Sequence, residues 1–349
     1  MNKSVKLFSL SMLLAIFSSY SQDNNEVSEN GSLFHKKEVL PINLRYSNKD
    51  IKKETNDSTY IITYLKFEDP GAGLDSIEVR LRKRGNFRLK NCFYAPIKIK
   101  IKKKAAKNTL FEGHKNLKLV LPCLVERDRN DNILKEYLAY KLYEVISPFH
   151  FKTRLLEISY EEERAKKIKL HNIRGFLVED DKNVAKRLGG KVIDANTHPL
   201  NQASLESVRN AFFQYMIGNT DFSTAYLHNC KLILLEDRII PVPYDFDMAG
   251  LVNTSYATVS QINDQKLNIE EVTQRVYRGF KRNPRIYMQV REEFLENQSS
   301  IMNVLKEGKD MFESDRQFAT TIKYIDEFFE ILEDDKKFQK NILDVARIK

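Results

Sequence analysis

The sequence predicts an α+β fold in which an N-terminal antiparallel sheet carrying one helix is followed by a mainly helical half. Residues 59–102 contain short runs that alternate apolar with polar or basic side chains, as strands with one buried face do. Residues 131–146 place their apolar side chains on one helical stripe. Beyond Glu179 the pattern is mostly helical. A sheet half followed by a helical half favours two lobes with a cleft between them.

Composition excludes several classes of protein. The 349 residues include 57 Lys and Arg against 48 Asp and Glu, for a formal net charge of +9, and 42% are hydrophobic. That apolar fraction excludes a wholly disordered chain. Three cysteines are too few for a disulfide scaffold. No cysteine spacing indicates a metal or redox motif, so we expect Cys92, Cys123 and Cys230 to be buried thiols, with one pair as the alternative.

The N-terminus has the features of a secretory signal peptide over residues 1–21. Lys3 and Lys6 precede an apolar run at 7–17, and Ser19 and Ser21 precede a cleavage site before Gln22. A short buried helix or a membrane anchor is the alternative, but the run is too short to cross roughly 30 Å of hydrocarbon. We therefore expect export to the periplasm or cell envelope, a disordered lead-in at 22–36, and a mature protein that does not span a membrane.

The N-terminal lobe is expected to extend over residues 37–179. Turn chemistry at 69–73 separates two of its strands, and a helix at 131–146, with Asp131 or Asn132 as N-cap, ends before Pro148. The expected strands are 59–67, 77–84, 97–102, 117–120, 154–160 and 172–178. Their alternation predicts an antiparallel sheet with one buried face and one positive face.

The C-terminal lobe is expected to extend over residues 180–349. An amphipathic helix at 205–217 is followed by a loop at 218–229, a hairpin at 230–243 and helices to the end of the chain.

Two segments of this lobe carry the most informative polar residues. GNTDFSTAYLHN at 218–229 contains Asp221 and Asn229, and PVPYDFDMAG at 241–250 contains Asp245 and Asp247. In phosphoryl transfer an Asp orients the attacking hydroxyl, while an Asn and a later Asp hold Mg²⁺ on the phosphates. Turn chemistry or a helix cap is the alternative for each segment alone. Together they predict Asp221 as the catalytic residue and the other three as metal ligands.

Phosphoryl transfer also needs a cation from the first lobe. A lysine on a strand, paired with a glutamate on the following helix, contacts the phosphates in kinases. Lys118 and Glu136 fit that order, with Lys98 or Lys100 as alternatives to Lys118. Solvated surface charge is the other explanation for each of them.

These segments, with VRLRKRGNF (79–87) and APIKIKIK (95–102), resemble the CotH family of atypical protein kinases and its bacterial envelope relatives over about residues 75–260. The resemblance implies a divergent two-lobed protein-kinase-like fold. It also implies that Asp221 is the catalytic Asp, that Asn229 and Asp245 bind metal, and that Asp247 lies beside them.

The same resemblance implies a role for a segment of the sheet. Arg84, Gly85 and Asn86 match the family's Arg-Gly-Asn segment on the nucleotide-facing sheet. The family's substrates are Ser and Thr residues of surface proteins. The chain departs from ordinary kinases in having no G-x-G-x-x-G in its first lobe and no His-Arg-Asp segment.

A basic stretch at 82–107 holds eleven Lys and Arg and no acid. Nucleic-acid binding is one interpretation, but few aromatics are interleaved and no nucleic-acid motif is present, so we expect no nucleic-acid partner. The sequence therefore predicts an exported kinase-like enzyme that transfers the γ-phosphoryl of ATP, with Mg²⁺, to a Ser or Thr of an envelope protein. The alternative is a non-catalytic envelope module, a pseudokinase, that binds a polymer or partner protein through its basic sheet.

Overall fold

Seven strands close into a barrel in the N-terminal part of the chain. The computed structural model describes residues 33–69, 73–85, 87–260 and 267–348. The barrel strands are β1 (Leu40–Tyr46), β2 (Ile61–Asp69), β3 (Gly73–Lys83), β4 (Ile97–Ile101), β5 (Asn116–Val120), β6 (Thr153–Arg164) and β7 (Lys167–Val178). Their order is β1-β2-β3-β4-β5-β7-β6. The barrel closes through a parallel pairing of β1 with β6, in which Leu40 lies opposite Leu156.

The expected fold, a two-lobed kinase-like protein with an open antiparallel sheet, is therefore wrong. Alternation of apolar and polar residues predicts one buried face, and an open sheet and a closed barrel satisfy that pattern equally well. In β4, Ile97, Ile99 and Ile101 point into the barrel while Lys98 and Lys100 point outward. Closure depends on pairing between strands far apart in the chain, which no local pattern indicates.

The other main secondary-structure elements of the described chain are ten α-helices and a second sheet. The helices are α1 (Asn48–Glu54), α2 (Phe87–Asn91), α3 (Lys103–Ala106), α4 (Arg129–Ile146), α5 (Asp181–Arg187), α6 (Ser204–Met216), α7 (Pro284–Glu296), α8 (Gln298–Glu307), α9 (Asp315–Glu333) and α10 (Asp335–Phe338). The second sheet holds β8 (Lys191–Ile193), β9 (Cys230–Leu235) and β10 (Arg238–Pro243) in the order β10-β9-β8. Residues 244–260 and 267–283 contain no helix, so the expectation of unbroken helices after the hairpin is wrong there.

Helix α4 connects the barrel with the helical part. Tyr140 packs against Phe176 of β7 and against Phe246, and Tyr143 packs against Phe213 of α6. The helix begins at Arg129, two residues before the expected N-cap. Neither expected cap is used, because Asp131 is buried and accepts a hydrogen bond from the backbone N–H of Glu313 at 2.8 Å.

The expected signal peptide at 1–21 lies outside the described residues, as does most of the expected lead-in at 22–36. From Leu33 onward the chain is described, and the Leu33 side chain is fully buried in the barrel core. Within the described ranges, no helix combines the length and apolar character needed to cross a membrane.

The expectation of three free thiols is wrong for two of the cysteines. Cys92 and Cys123 form a disulfide that joins the segment after α2 to the segment after β5. Cys230, the first residue of β9, is a buried free thiol. The two bridged residues are 31 positions apart, and this spacing does not predict a disulfide.

Candidate functional site

A cleft of about 810 Å³ lies between the barrel and the second sheet. It brings together seven of the eight site residues expected from the sequence, namely Arg84, Gly85, Lys118, Asp221, Asn229, Asp245 and Asp247. These residues come from the end of β3, from β5, from the loop after α6 and from the segment after β10. Glu136 does not line this cleft.

The loop that follows α6 places Asp221 at the cleft. Gly218 has φ +63°, and a Cβ at that position would lie 1.9 Å from the hydroxyl of Tyr324, so only glycine fits. The side-chain oxygen of Asn219 accepts a hydrogen bond from the backbone N–H of Asp221 at 2.9 Å. The turn is therefore held by its own side chains, which is the usual use of Asn in such loops.

Asn229 fixes the carboxylate of Asp221. Its Nδ2 donates to Asp221 Oδ2 at 3.0 Å and to the Asp221 carbonyl at 2.7 Å. Asn229 itself has φ +49°, in the left-handed region that Asn tolerates better than most residues. The two residues, eight positions apart in sequence, thus form one polar unit.

His228 completes the surroundings of Asp221. Its Nε2 lies 3.0 Å from Asp221 Oδ1, and this hydrogen bond raises the pKa of His228. The hydroxyl of Ser260 donates to the same oxygen at 3.4 Å. Asp221 stays partly open to solvent, with 23% of its side chain exposed. Asp221 is therefore a solvent-accessible carboxylate whose orientation is set by its neighbours.

Asp245 and Asp247 follow β10 at the opposite wall of the cleft. The backbone N–H of Asp245 donates to the Tyr140 hydroxyl at 2.9 Å, and the Tyr256 hydroxyl donates to Asp247 Oδ2 at 3.0 Å. Burial, and secondarily the negative charge of Asp245, raises the pKa of Asp247. Asp245 Oδ1 is buried and has no hydrogen-bond partner within the described part of the chain. Asp245 and Asp247 are therefore two neighbouring carboxylates, and at least one of their oxygens, Asp245 Oδ1, can still accept a hydrogen bond or a metal ion.

Two arginines partly balance these carboxylates. Arg84 Nη1 lies 4.0 Å from Asp245 Oδ2, and Arg88 Nε lies 3.8 Å from Asp247 Oδ2. Both distances exceed those of a charge-assisted hydrogen bond. Arg88, on α2, was not expected from the sequence, although it belongs to the same basic stretch as Arg84. Gly85 has φ +68°, which favours glycine, and Asn86 lies outside the described residues.

Lys118 projects from β5 into the cleft. Its Nζ lies 3.9 Å from the ring centroid of Tyr244 and has no hydrogen-bond acceptor among the residues that the structure describes. Burial, and secondarily the positive charge of Arg84, lowers the pKa of Lys118 to about 8. Its cross-strand neighbour Lys98 instead pairs with Asp180 at 3.6 Å. Lys100, the other alternative, lies 5.3 Å from the ring centroid of Tyr60, and neither Lys98 nor Lys100 lines the cleft.

Glu136 lies on α4 and is only 2% exposed. The ion pairs found among the described residues include none between Glu136 and Lys118. Burial, and secondarily the charge of Asp247, raises the pKa of Glu136, while Arg88 opposes that rise. The expected Lys118–Glu136 pair is thus not formed, and Glu136 belongs to the buried group around Arg88.

Sequence reasoning also missed an ion pair at the cleft. Lys231 Nζ lies 3.3 Å from Asp181 Oδ2, and both residues line the cleft. Lys231 directly follows Cys230 at the start of β9, and Asp181 is the first residue of α5. The sequence did not predict this ion pair because the two residues are far apart in the chain and only the fold brings them together.

In the described part of the chain, no three His, Cys, Asp or Glu residues form a cluster that could hold a metal ion by themselves. The candidate metal ligands at the cleft are instead two carboxylates, those of Asp245 and Asp247, and the side-chain amide of Asn229. No family model and no curated protein matches the chain. The resemblance to the CotH family stays a prediction from the motifs.

Proposed function

We propose that this cleft binds ATP with Mg²⁺ and transfers its γ-phosphoryl group to a hydroxyl, that of a Ser or Thr in an envelope protein. The observation that carries the proposal is the convergence of Asp221, Asn229, Asp245 and Asp247 with Lys118 on one open cleft. The volume of that cleft, about 810 Å³, falls in the range of small-molecule sites.

The polyphosphate would lie against the cations of the cleft. Lys118 Nζ is shielded from solvent and lacks an acceptor among the described residues, so a phosphate oxygen would supply a missing partner. Arg84 and Lys231 add positive charge to the lining. Phosphate groups are recognised by such combinations of lysine and arginine.

The carboxylates of the cleft fit a hard cation. Asp245 Oδ1 has no partner within the described residues, and repulsion from Asp245 contributes to the raised pKa of Asp247. Mg²⁺ is commonly held by one or two carboxylates together with phosphate oxygens and water. When bound, the ion would supply charge neutralisation for the phosphoryl oxygens.

Asp221 has a different task. Asn229 and His228 occupy its two carboxylate oxygens from one side, while a quarter of the side chain remains open to solvent. It would orient the acceptor hydroxyl and receive its proton as the oxygen attacks phosphorus. Asp245 and Asp247 would thus bind the metal ion, while Asp221 would activate the hydroxyl.

Export supports an envelope substrate. Residues 1–21 carry the features of a signal peptide, and the Cys92–Cys123 disulfide is of the kind that persists in oxidising compartments. We propose that the protein works in the periplasm or on the cell envelope.

A non-catalytic binding module is the second candidate, and one observation favours it. Arg84 and Arg88 face Asp245 and Asp247, where they compete with a metal ion, and Lys118 lacks the glutamate that positions it in kinases. In that case the cleft would bind nucleotide or a partner without turnover.

Asp221→Asn tests the proposal because it keeps the shape of the side chain and removes the proton acceptor. We expect phosphoryl transfer from ATP to an envelope protein fraction to fall by about a hundredfold or more, while stabilisation of the fold by Mg²⁺ and ATP persists. Asp237→Asn, at an exposed turn between β9 and β10, is the matched control. Stabilisation without transfer in the wild type would establish the binding module instead.

A further inference from the structure

A second cavity lies next to the Asp221 loop and shares no lining residue with the cleft. Its volume is about 200 Å³, and it is walled by the loop at 222–226, by α6 and by the segment at 278–282. Arg278, Arg282 and Arg347 line it, and its lining contains no carboxylate among the described residues. Three guanidinium groups around one small cavity make a strongly positive environment.

The three guanidinium groups are held in place by backbone carbonyls rather than by acids. Arg278 Nη1 donates to the Thr220 carbonyl, and Arg347 Nη2 donates to the Arg278 carbonyl. Arg282 donates to the carbonyl of Leu200 at 2.9 Å. None of the three arginines has an acidic side chain within ion-pair distance in the described ranges of the chain. Their guanidinium groups are thus oriented without a direct ion pair, although the charge of Asp221 acts on Arg278 from a greater distance.

Three of the residues that line this cavity each carry a buried donor without a hydrogen-bond partner in the described part of the chain. Arg347 Nε, Arg282 Nε and the hydroxyl of Ser207 are buried with no hydrogen-bond partner among the described residues. Arg278 is only 7% exposed, and burial lowers its pKa; burial and the charge of Arg278 lower the pKa of Arg347 to about 10. Both groups are still charged at neutral pH; the charge of Asp221 only partly offsets the burial of Arg278, and neither arginine forms an ion pair in the described part of the chain.

The ring walls give the cavity its shape. The guanidinium of Arg347 lies 4.2 Å from the ring centroid of Phe280, and that of Arg278 lies 5.5 Å from the ring centroid of Phe222. Cation–π contacts at these distances help to hold the two guanidinium groups at the cavity. A tetrahedral oxyanion on a short side chain suits a cavity of this size, whereas a nucleotide is too large for it.

The position of the cavity identifies the ligand class. Phe222, which lines it, directly follows Asp221, and Arg278 contacts the carbonyl of Thr220 on the other side of that residue. An extended peptide placing a hydroxyl at Asp221 therefore passes this cavity. We infer that the arginine-lined cavity binds a phosphate monoester carried by a side chain of the peptide substrate, so that the enzyme prefers peptides already phosphorylated near the acceptor residue. The preference rests on the proposed function; the phosphate site does not.

Phosphate binding is measured first, on the mature full chain without nucleotide. Inorganic phosphate at matched ionic strength, a phosphoserine peptide and the same peptide with unmodified serine are titrated while thermal unfolding is followed. We expect the phosphopeptide to stabilise the protein at lower concentration than inorganic phosphate does, and the unmodified peptide to have no effect. A phosphopeptide that binds no more tightly than inorganic phosphate would overturn the peptide as the source.

Arg347→Gln is the central variant, with Arg285→Gln as its matched control on the exposed start of α7. We expect R347Q to weaken phosphopeptide binding by about tenfold or more and R285Q to leave it unchanged. Unchanged binding in R347Q overturns the site. Loss of binding in Lys118→Met with retention in R347Q also overturns it, because the phosphate would then lie in the cleft.

Ala225→Glu covers the case in which R347Q does not fold. It places a carboxylate at the lining of the cavity, where it should occupy the arginines, abolish phosphate binding and raise the melting temperature. Undiminished phosphate binding in a folded A225E protein overturns the inference. The two proposals fail separately: phosphate binding without any transfer from ATP removes only the kinase assignment, and transfer with no phosphopeptide preference removes only this one.

Discussion

The barrel and the cleft both bury ionisable side chains, but one network in the barrel pairs its members with one another, whereas several groups at the cleft have no partner among the described residues. In the barrel, the hydroxyl of Tyr94 lies 3.1 Å from His171 Nδ1, and His171 Nε2 lies 2.9 Å from Glu162 Oε2. Arg164 donates to the same carboxylate oxygen at 2.7 Å. Although burial raises the pKa of Glu162, hydrogen bonds from Arg164 and His171 outweigh it and lower the pKa.

Several polar groups at the cleft lack hydrogen-bond partners in the described part of the chain. Lys118 Nζ, Asp245 Oδ1 and Arg84 Nε are buried without hydrogen-bond partners among the described residues. Leaving such groups unpaired costs about 1–3 kcal/mol each, and more when they are charged. A binding site retains that cost where a ligand provides the missing partners. The unpaired groups of the cleft include a lysine and a carboxylate on one lining, whereas the unpaired Tyr46 hydroxyl of the barrel lies in a hydrophobic core.

The largest effect is expected from Asp245→Asn, which removes the negative charge of the unpaired carboxylate. Asn tolerates the positive φ of 65° at this position, so the backbone should not change. We expect metal-dependent phosphoryl transfer to fall by roughly a hundredfold or more, with no loss in the free energy of unfolding, because repulsion with Asp247 is relieved. Transfer rates and urea unfolding would be measured beside Asp310→Asn, an exposed control. A variant that transfers at the wild-type rate would remove Asp245 from the metal site.

A smaller effect, on stability alone, is expected from His171→Leu in the barrel. The change leaves Tyr94 and Glu162 without a shared partner, and we expect the free energy of unfolding to fall by about 2 kcal/mol. Stabilisation by Mg²⁺ and ATP should be unaffected. His35→Leu, at an exposed position, is the control for the loss of an imidazole. If H171L lost nucleotide binding while staying folded, the division between structural and functional networks would be mistaken.

The smallest effect is a pH dependence at Lys118. Its pKa falls from 10.5 in the unfolded chain to about 8 in the folded one, so the unfolded state binds more protons between these values. The buried charge of Lys118 therefore lowers the free energy of unfolding by its full amount below pH 8, and this penalty disappears as the pH rises to 10.5. Lys118→Met avoids the cost of a buried charge, about 3 kcal/mol for the full shift, but loses the contact with Tyr244.

We therefore expect Lys118→Met to be more stable than the wild type by about 1–2 kcal/mol at pH 7. The advantage should shrink between pH 8 and 10.5, as shown by urea unfolding at pH 7, 8.5 and 10. A constant difference across that range would mean that Lys118 titrates normally and is not desolvated.

Local patterns identified most of the elements and much of the cleft. The alternation in β4 and the apolar stripe of α4 appear in the structure within two residues of their expected bounds. Asp221, Asn229 and Asp245 meet because a loop and a hairpin of ordinary length connect them. Glu136 was misplaced because its position on α4 does not indicate which side chains surround it, and the charge of Arg88 rather than that of Lys118 acts on it.

Taken alone, the sequence was sufficient for six of the seven barrel strands, for α4 and for seven of the residues that line the cleft, because these depend on side-chain periodicity and local turn chemistry. It did not predict β1 or the charged side chains of Arg88, Asp181 and Lys231 at the cleft. Barrel closure through β1 and β6, the Cys92–Cys123 bridge and the cavity around Arg347 emerged only from the folded chain. Each of these joins residues far apart in sequence. Such pairings are selected by the free energy of the whole packed structure, which no short segment encodes.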